Sequence, residues 1–398
     1  MAFAPLSGRP LISVVMANFE AGEKIVHALR SVLRQTVGDL EVIVSDDCSR
    51  DGSLEHVRRL MAEDERIRLI TAERNGGPAQ CRNRALELAR GHWIAIVDSD
   101  DIIHPERFER LLAAAAEHGS DIVADDLLLF FEDGTAPRLM LGEDVSHTFL
   151  VSTERWVLAG VDGTPALGYL KPLIRADRLQ ALRYDQELRI GEDYDLLLRL
   201  LLEGASMLVV PEPYYLYRRH SGSISHRLSV PDMEAMLERQ VDLVERYGPF
   251  NSRLTAAFEL RLGALRQGLG YEYLVRNIKT RNVSAALALL LRHPGYFEKL
   301  WASFAEGRQK RSAPPTTPAS PVLELGANGT EHPVPAYVPT TSTDWTAPRQ
   351  RKVWRDLAAR RGAGAVRCVP LDAAGRYAAG FIPEAEIASE PLVFEAAS

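Results

Sequence analysis

Trp93-Ile94-Ala95-Ile96-Val97-Asp98-Ser99-Asp100-Asp101 is the stretch on which the fold turns. A short β-rich apolar run ends, without a spacer, in a cluster of acids, as a buried strand would if it delivered carboxylates to a sheet edge. Runs of the same kind recur on either side of it, at Leu11 to Met16, Leu40 to Ser45, Ile67 to Thr71 and Ile122 to Phe131. Between them the apolar residues fall at helical spacing. Ile25, Leu29, Val32 and Leu33 share one face, and Phe108, Leu111, Leu112 and Ala115 line a second stripe in a helix that Pro105 is placed to open. Strands alternating with such helices predict an α/β fold, a mainly parallel Rossmann-like sheet with flanking helices. Right-handed crossovers then gather the strand C-termini at one edge, where ligands of open α/β sheets bind.

Past Gly134 the pattern is mixed. Gly168 to Ile174 reads as a strand, Glu192 to Glu203 as a helix, and Met207 to Val210 and Tyr214 to Arg218 as two more strands. From Val230 to about Phe304 the chain reads as helical, with Pro231 in a first turn. Gln309 to Trp345 is rich in Pro, Thr, Ser and Ala and reads as a linker, because it has too little apolar surface to order itself. The expected organisation is a sheet domain over 1–228 divided near residue 130, a helical extension over 229–306, a linker over 307–345, and a tail over 346–398 with no interpretable motif.

A chain of 398 residues, 46% hydrophobic and 25% charged, has room for a sizeable core. Its 47 basic and 54 acidic residues leave a formal charge of -7, which argues against a nucleic-acid partner. A phosphate-bearing ligand must then be met by local donors or a metal. Cys48, Cys81 and Cys368 are too widely spaced for a disulfide framework or a Cys-x-x-Cys zinc site, so a reducing cytosol is the simplest home. Met1 to Pro10 contains no apolar run of signal-peptide length. Ala285 to Leu291 is far shorter than the ~18 residues a membrane span requires. Continued by Tyr296, Phe297 and Trp301, that segment can rest on a membrane surface or pack against its own domain.

Asp98, Asp100 and Asp101 repel one another and call for a compensating cation. Oxygen ligands of this kind suit Mg²⁺ or Mn²⁺, and an ion shared with two phosphate oxygens would neutralise a departing nucleoside diphosphate. The bland reading is a solvated turn ahead of the next helix. Asp46-Asp47 again follows a strand directly: a carboxylate here can accept from the N3–H of a uracil ring, while Asp51 or Ser53 can cap the helix that follows. Asn75-Gly76-Gly77-Pro78 lets the backbone approach a ligand, with Arg82 able to meet base or phosphate, or it is simply a helix start with a surface arginine. Glu192-Asp193 is an acidic pair that favours the dipole at a helix start. It can equally supply a base across a cleft. His220 can ligate a metal, touch phosphate, or merely sit in a loop with Arg218 and Arg219.

Taken in order, Ser13-Val14-Val15-Met16-Ala17-Asn18-Phe19, Asp46-Asp47, Arg82-Asn83, Asp98-Ser99-Asp100-Asp101, Gly191-Glu192-Asp193-Tyr194 and Tyr217-Arg218-Arg219-His220-Ser221-Gly222-Ser223-Ile224-Ser225 resemble the family-two glycosyltransferases of GT-A fold. The likeness is to bacterial exopolysaccharide enzymes of the succinoglycan-assembly type and spans about Leu11 to Ser225. It implies a donor-binding half before about residue 130 and an acceptor-side half up to 228. It implies inverting transfer from a UDP-sugar to a saccharide or lipid-linked saccharide. Because the processive-synthase signature and membrane helices are missing, one sugar per binding event is expected. The expected location is the cytoplasm, with peripheral contact at the inner face of the cell membrane as the alternative. Ala17, Phe19, Asp46, Asp47, Arg82, Asp98 and Ser99 would line the nucleotide-sugar site, and Asp98, Asp100 and His220 would face Mn²⁺ or Mg²⁺, held mainly through Asp100. Glu192 and Asp193 would stand on the acceptor side, with Asp193 as catalytic base. The chain departs from the family pattern at Ala17, where Pro is common, at Glu20, where Asn is common, and at Cys48, where Gly is common. The Gln-x-x-Arg-Trp signature of processive synthases is missing. A nucleotidylyltransferase would need a basic Gly-rich loop after the first strand, which Met16 to Glu20 lacks. A non-catalytic carbohydrate-binding protein on the same fold is the other alternative.

Overall fold

A computed structural model describes residues 8–131, 138–142, 144–180, 182–219 and 228–301, with only the backbones of three short strands farther on. Strand and helix alternate from the start: β1 (Ile12–Asn18), α1 (Lys24–Leu33), β2 (Leu40–Asp46), α2 (Ser53–Glu63), β3 (Ile67–Thr71), α3 (Gly77–Leu88) and β4 (Trp93–Ile96). Next come β5 (Ile102–Ile103), α4 (Arg107–His118), β6 (Ile122–Phe131), β7 (Arg138–Leu139), β8 (Phe149–Val151) and α5 (Thr153–Val157). β9 (Leu173–Arg175), α6 (Ala176–Leu179), α7 (Glu192–Leu202) and β10 (Met207–Arg219) complete the sheet region. Three helices follow, α8 (Val230–Tyr247), α9 (Ser252–Lys279) and α10 (Val283–Arg292).

The sheet order is β3-β2-β1-β4-β9-β6-β10-β5, with β7 on β6 and β8 on β10. β3, β2, β1 and β4 are mutually parallel, as are β6 and β10. β9 joins the two blocks by running antiparallel to both β4 and β6. Ile12, Val14, Val15 and Met16 of β1 are all fully buried, as expected of a strand covered by helices on both faces. The core side of α1 carries Ile25, Leu29 and Val32, and that of α4 carries Phe108, Leu111, Leu112 and Ala115. Each of the larger side chains contributes about 2 kcal/mol through burial. Leu243 of α8 and Leu254, Ala257 and Phe258 of α9 continue this core.

Several local expectations shift. Pro105 lies two residues ahead of α4, in a turn closed by the Arg107 N–H on the His104 carbonyl. The strand expected over Gly168 to Ile174 splits into a 3-10 turn at Leu167–Tyr169 and a short β9, because Pro172 has no N–H to give a ladder. The two strands expected around residue 212 are one, β10, whose register shifts between Val210 and Tyr215. Pro211 and Pro213 stand inside that irregularity, where the missing donors cost no ladder bond. Gly52, at φ 84, occupies the cap position of α2, and the Asp51 carboxylate ties the turn from outside by accepting from the Ser53 N–H. Val322–Leu325, Arg367–Pro370 and Glu386–Ile387 form a separate three-stranded parallel sheet, β11-β12-β13. The rest of the linker (307–345) and tail (346–398) lies outside the described residues, as does His220.

Candidate active site

The ends of β1, β2 and β4 open on one edge, with Asn18 in register with Asp46 and Val15 with Ile96. Because β9 runs against β4, the residues just ahead of β9 lie beside those just past β4. The Ile96 N–H donates to the Pro172 carbonyl at 3.3 Å. Lys171 thereby reaches Asp98, its Nζ 2.8 Å from Oδ2. The same ammonium is 2.9 Å from Asp193 Oδ2, in the first turn of α7. From α3, Arg82 places one nitrogen 2.9 Å from Asp98 Oδ1 and another 2.6 Å from Glu192 Oε1, with Asp193 Oδ1 at 3.6 Å. Two buried cations thus join the acid motif after β4 to the acid pair at the start of α7. Gly191 permits the entry into α7, since its φ of 88 lies in the left-handed region that a side chain would strain.

The electrostatics follow from this wiring. Burial works against an ionised Asp98, but the charges of Lys171 and Arg82 outweigh it and hold the carboxyl well below the usual range. Burial likewise opposes the Lys171 charge, and Asp193 and Asp98 reverse the effect and keep it protonated. Glu192 moves the other way, pushed up by burial and by its neighbour Asp193 in spite of Arg82. Behind the site, the fully buried Arg107 pairs with the fully buried Asp125 at 2.7 Å and also donates to the Lys171 carbonyl, fixing the backbone that carries the bridging ammonium.

The three acids after β4 therefore have different fates. Asp101 is buried and fastened to β10, accepting from the Tyr215 hydroxyl at 2.9 Å and the Arg218 N–H at 2.7 Å. Burial, with the charges of Asp100 and Asp98, raises its carboxyl well above the usual value. Asp98 has both oxygens on cations. Asp100 sits half-buried between them. Among the described residues no three His, Cys, Asp or Glu side chains form a cage for a metal ion. A hard divalent ion that takes one or two carboxylates and completes its shell with phosphate oxygens and water fits this set. The compensating cation expected from the sequence is supplied in large part by the protein itself.

At the end of β2 the acids are held mostly by uncharged donors. Asp46 accepts from Asn18 Nδ2 at 2.6 Å and from the Ser49 N–H at 2.9 Å. Asp47 Oδ2 takes the Gly76 and Gly77 N–H groups at 3.0 and 2.7 Å, and its Oδ1 takes Arg84 at 2.9 Å. Asp47 thereby docks the start of α3, the helix that bears Arg82. Ser99 is buried, Ala17 half-buried and Phe19 exposed at the mouth. Sequence reasoning missed Lys171, although a signal exists. It interrupts the apolar run Leu170 to Ile174, and it and Lys24 are the sole lysines in the sheet region of an otherwise arginine-rich chain.

A family model described as "Glycosyl transferase family 2" matches residues 13–175. The succinoglycan biosynthesis protein ExoO of Rhizobium meliloti is 32% identical over 289 residues, 72% of this chain and 82% of that protein. The chain belongs to glycosyltransferase family 2. It is a glycosyltransferase. The glycosyltransferase GlyG of Streptococcus pneumoniae is 31% identical over 219 residues, 54% of this chain and 72% of that protein. The fold matches S. aureus TarS 1-349, solved with UDP-GlcNAc, at a TM-score of 0.51 and 20% identity over 71% of this chain and 92% of that one. Membership in family two also gives meaning to two departures. Glu20 and Cys48 have φ values of 49 and 70. Where the family favours Asn and Gly, the backbone is left-handed, a conformation those residues adopt at least cost.

Proposed function

We propose that this glycosyltransferase moves one sugar from a UDP-sugar to a saccharide acceptor with inversion, assisted by a divalent ion, in building an exopolysaccharide or cell-surface glycan. Residues 1–228 carry the reaction, the half before about 130 binding the donor. The observation that supports the reading best is the Lys171 bridge, 2.8 Å to Asp98 and 2.9 Å to Asp193, which brings donor-side and acceptor-side carboxylates within reach of one cation. The pathway follows the similarity to ExoO, named for succinoglycan biosynthesis. A UDP-sugar fits a fold shared with TarS, which binds UDP-GlcNAc.

In this mechanism Asp193 Oδ2 takes the proton of the acceptor hydroxyl as its oxygen attacks the anomeric carbon. The carbon–oxygen bond to the diphosphate breaks on the opposite face, and its electron pair leaves on the phosphate oxygen. Arg82 and Lys171 are drawn toward the incoming diphosphate, which frees the Asp193 carboxylate to accept from the acceptor hydroxyl. When bound at Asp100, Mg²⁺ or Mn²⁺ supplies Lewis-acid stabilisation to the charge growing on the leaving group. The acceptor is a saccharide carried on a lipid.

The test is UDP release from a panel of UDP-sugars with Mn²⁺ or Mg²⁺, with and without a saccharide acceptor. Asp100→Ala should abolish the metal-dependent release in protein that still melts cooperatively, because it removes a metal ligand. Full activity of that variant at saturating donor would overturn the metal assignment. No UDP release with any UDP-sugar would overturn the reading of the donor as a UDP-sugar.

A further inference from the structure

Helix α10 breaks the rule for a surface helix. Its inner face is apolar, as it should be, with Ala286, Leu289 and Leu290 packed around Leu274 of α9 and Tyr296. Its outer face is apolar too. Val283, Leu287 and Leu291, spaced four apart on one stripe, are exposed, and so are Phe297 and Trp301 in the turns that follow, at values from 55% to 74%. A helix that is apolar all round is normally buried or in lipid. Tyr296 fixes the segment to α9 through its hydroxyl on the Gln267 carbonyl at 3.0 Å, so the exposed residues sit on an anchored element.

The rim of this face is basic. Arg276, Lys279, Arg281, Arg292 and Lys299 are all exposed, and Glu298 is the single acid between residues 276 and 299, in a chain whose net charge is -7. Exposed apolar side chains in a stretch of chain this basic match an anionic lipid surface in both respects. A second copy would lay one basic rim on another if it paired through the same face. Residues 302–398 as a whole contain acidic and basic side chains in near-equal numbers. Only the stretch after Arg376, with Glu384, Glu386, Glu390 and Glu395, carries charge that would compete for this face, and such competition would show as absence of vesicle binding by the full chain. At ten residues, α10 is about half the length needed to cross a bilayer, so it lies in the interface.

We propose that the outer face of α10, with Phe297 and Trp301, is a docking surface for an anionic lipid bilayer. This deepens the reading of a lipid-carried acceptor and rests on it for its purpose, because such an acceptor is met only at a membrane. The physical claim is tested separately. The full chain is mixed with phosphatidylcholine vesicles with and without phosphatidylglycerol, and co-sedimentation is measured over a range of salt. Binding to the anionic vesicles that weakens as salt rises is expected. Replacing Leu287, Leu291 and Trp301 together by Gln should reduce partitioning at least about tenfold. Replacing Lys279, Arg292 and Lys299 by Gln should cost about fivefold per charge on the anionic vesicles alone. UDP release with a water-soluble acceptor should be unchanged in both variants, so failure of the catalytic reading would show there and leave the vesicle result standing. Absence of vesicle binding by the full chain, or undiminished binding by the apolar variant, would overturn the proposal. So would a fall in molar mass from dimer to monomer in that variant, with vesicle binding kept.

Discussion

Two adjacent acid pairs, Asp46-Asp47 and Glu192-Asp193, look alike in the chain and are held in opposite ways. Each borders an element end and a left-handed residue, Cys48 at φ 70 after the first pair and Gly191 at φ 88 before the second. The first pair is met mainly by uncharged donors, the backbone N–H groups of Ser49, Gly76 and Gly77 and the Asn18 amide, with a single cation, Arg84 of α3. The second is met by Arg82 and Lys171, cations from distant elements that also hold Asp98. Acids held by amides shape a loop, because an amide cannot leave its backbone. Acids that share mobile side-chain cations with a third acid can hand those cations to a ligand. The first arrangement builds the pocket and the second is able to respond to what enters it.

The sharpest way to break this contrast is Asp193→Asn, which keeps size and removes basicity. Transfer should fall by about 10² to 10⁴ with UDP-sugar affinity little changed, the range for loss of a positioned base. Transfer close to wild type would move the role to Glu192 and leave the second pair a helix-start feature. Next in size is Lys171→Met, which leaves Asp98 and Asp193 close together with one cation fewer. A loss of about 3 kcal/mol or more in chemical denaturation is expected for a broken buried ion pair. Unchanged stability would mean that Arg82 alone wires the second pair.

A third experiment uses pH. The folded-state pKa of Asp98 is depressed below the ~3.9 of an unfolded aspartate, so its contribution is complete above about pH 4 to 5 and is lost as pH falls through the folded value. Asp98→Asn should be less stable than wild type by about 2 kcal/mol at neutral pH. The gap should narrow in acid as the wild-type carboxyl also loses its charge. A gap that stays constant down to pH 2 would show that the charge of Asp98 is not what Lys171 and Arg82 hold. The smallest effect belongs to the first pair. Cys48→Gly should relieve a left-handed residue and raise stability by about 0.5 kcal/mol, the relief being partly offset by the unfolded-state entropy of glycine. A loss of stability instead would mean that the Cys48 Sγ contact to the Glu73 carbonyl, at 3.4 Å, outweighs the strain.

Period and composition decided what was legible in advance. The runs at residues 40–46, 93–96 and 122–131 stood out because buried strands are dominated by apolar residues, and 67–71, at the sheet edge with Arg68 and Thr71 exposed, by its short β-branched run. The faces of α1 and α4 stood out because burial on a helix repeats every 3.6 residues. Pro172, Pro211 and Pro213 mark where expectation and structure part: the strand expected through Pro172 breaks there, while one long strand passes the other two. A proline marks a break in local pattern, yet the long β10 absorbs two of them in an irregularity that only its pairing with β6 makes tolerable. At the site, Asp98, Asp100, Arg82, Glu192 and Asp193 were visible as charged residues just beyond apolar elements. Lys171 was overlooked because its meaning lies in β9 running antiparallel to β4, and strand direction leaves no mark on composition.

By itself, then, the sequence determined the layered α/β architecture, the edge at which its acids collect and the family they resemble, because each of these follows from local period and the order of motifs. Tertiary structure alone decided which acids share a cation. Asp98 and Asp193 are 95 positions apart in the chain. They meet through Lys171 because an antiparallel strand returns beside β4 while α7 starts at the same edge. Coulomb energy depends on distance in space and on burial, and neither can be read along the chain.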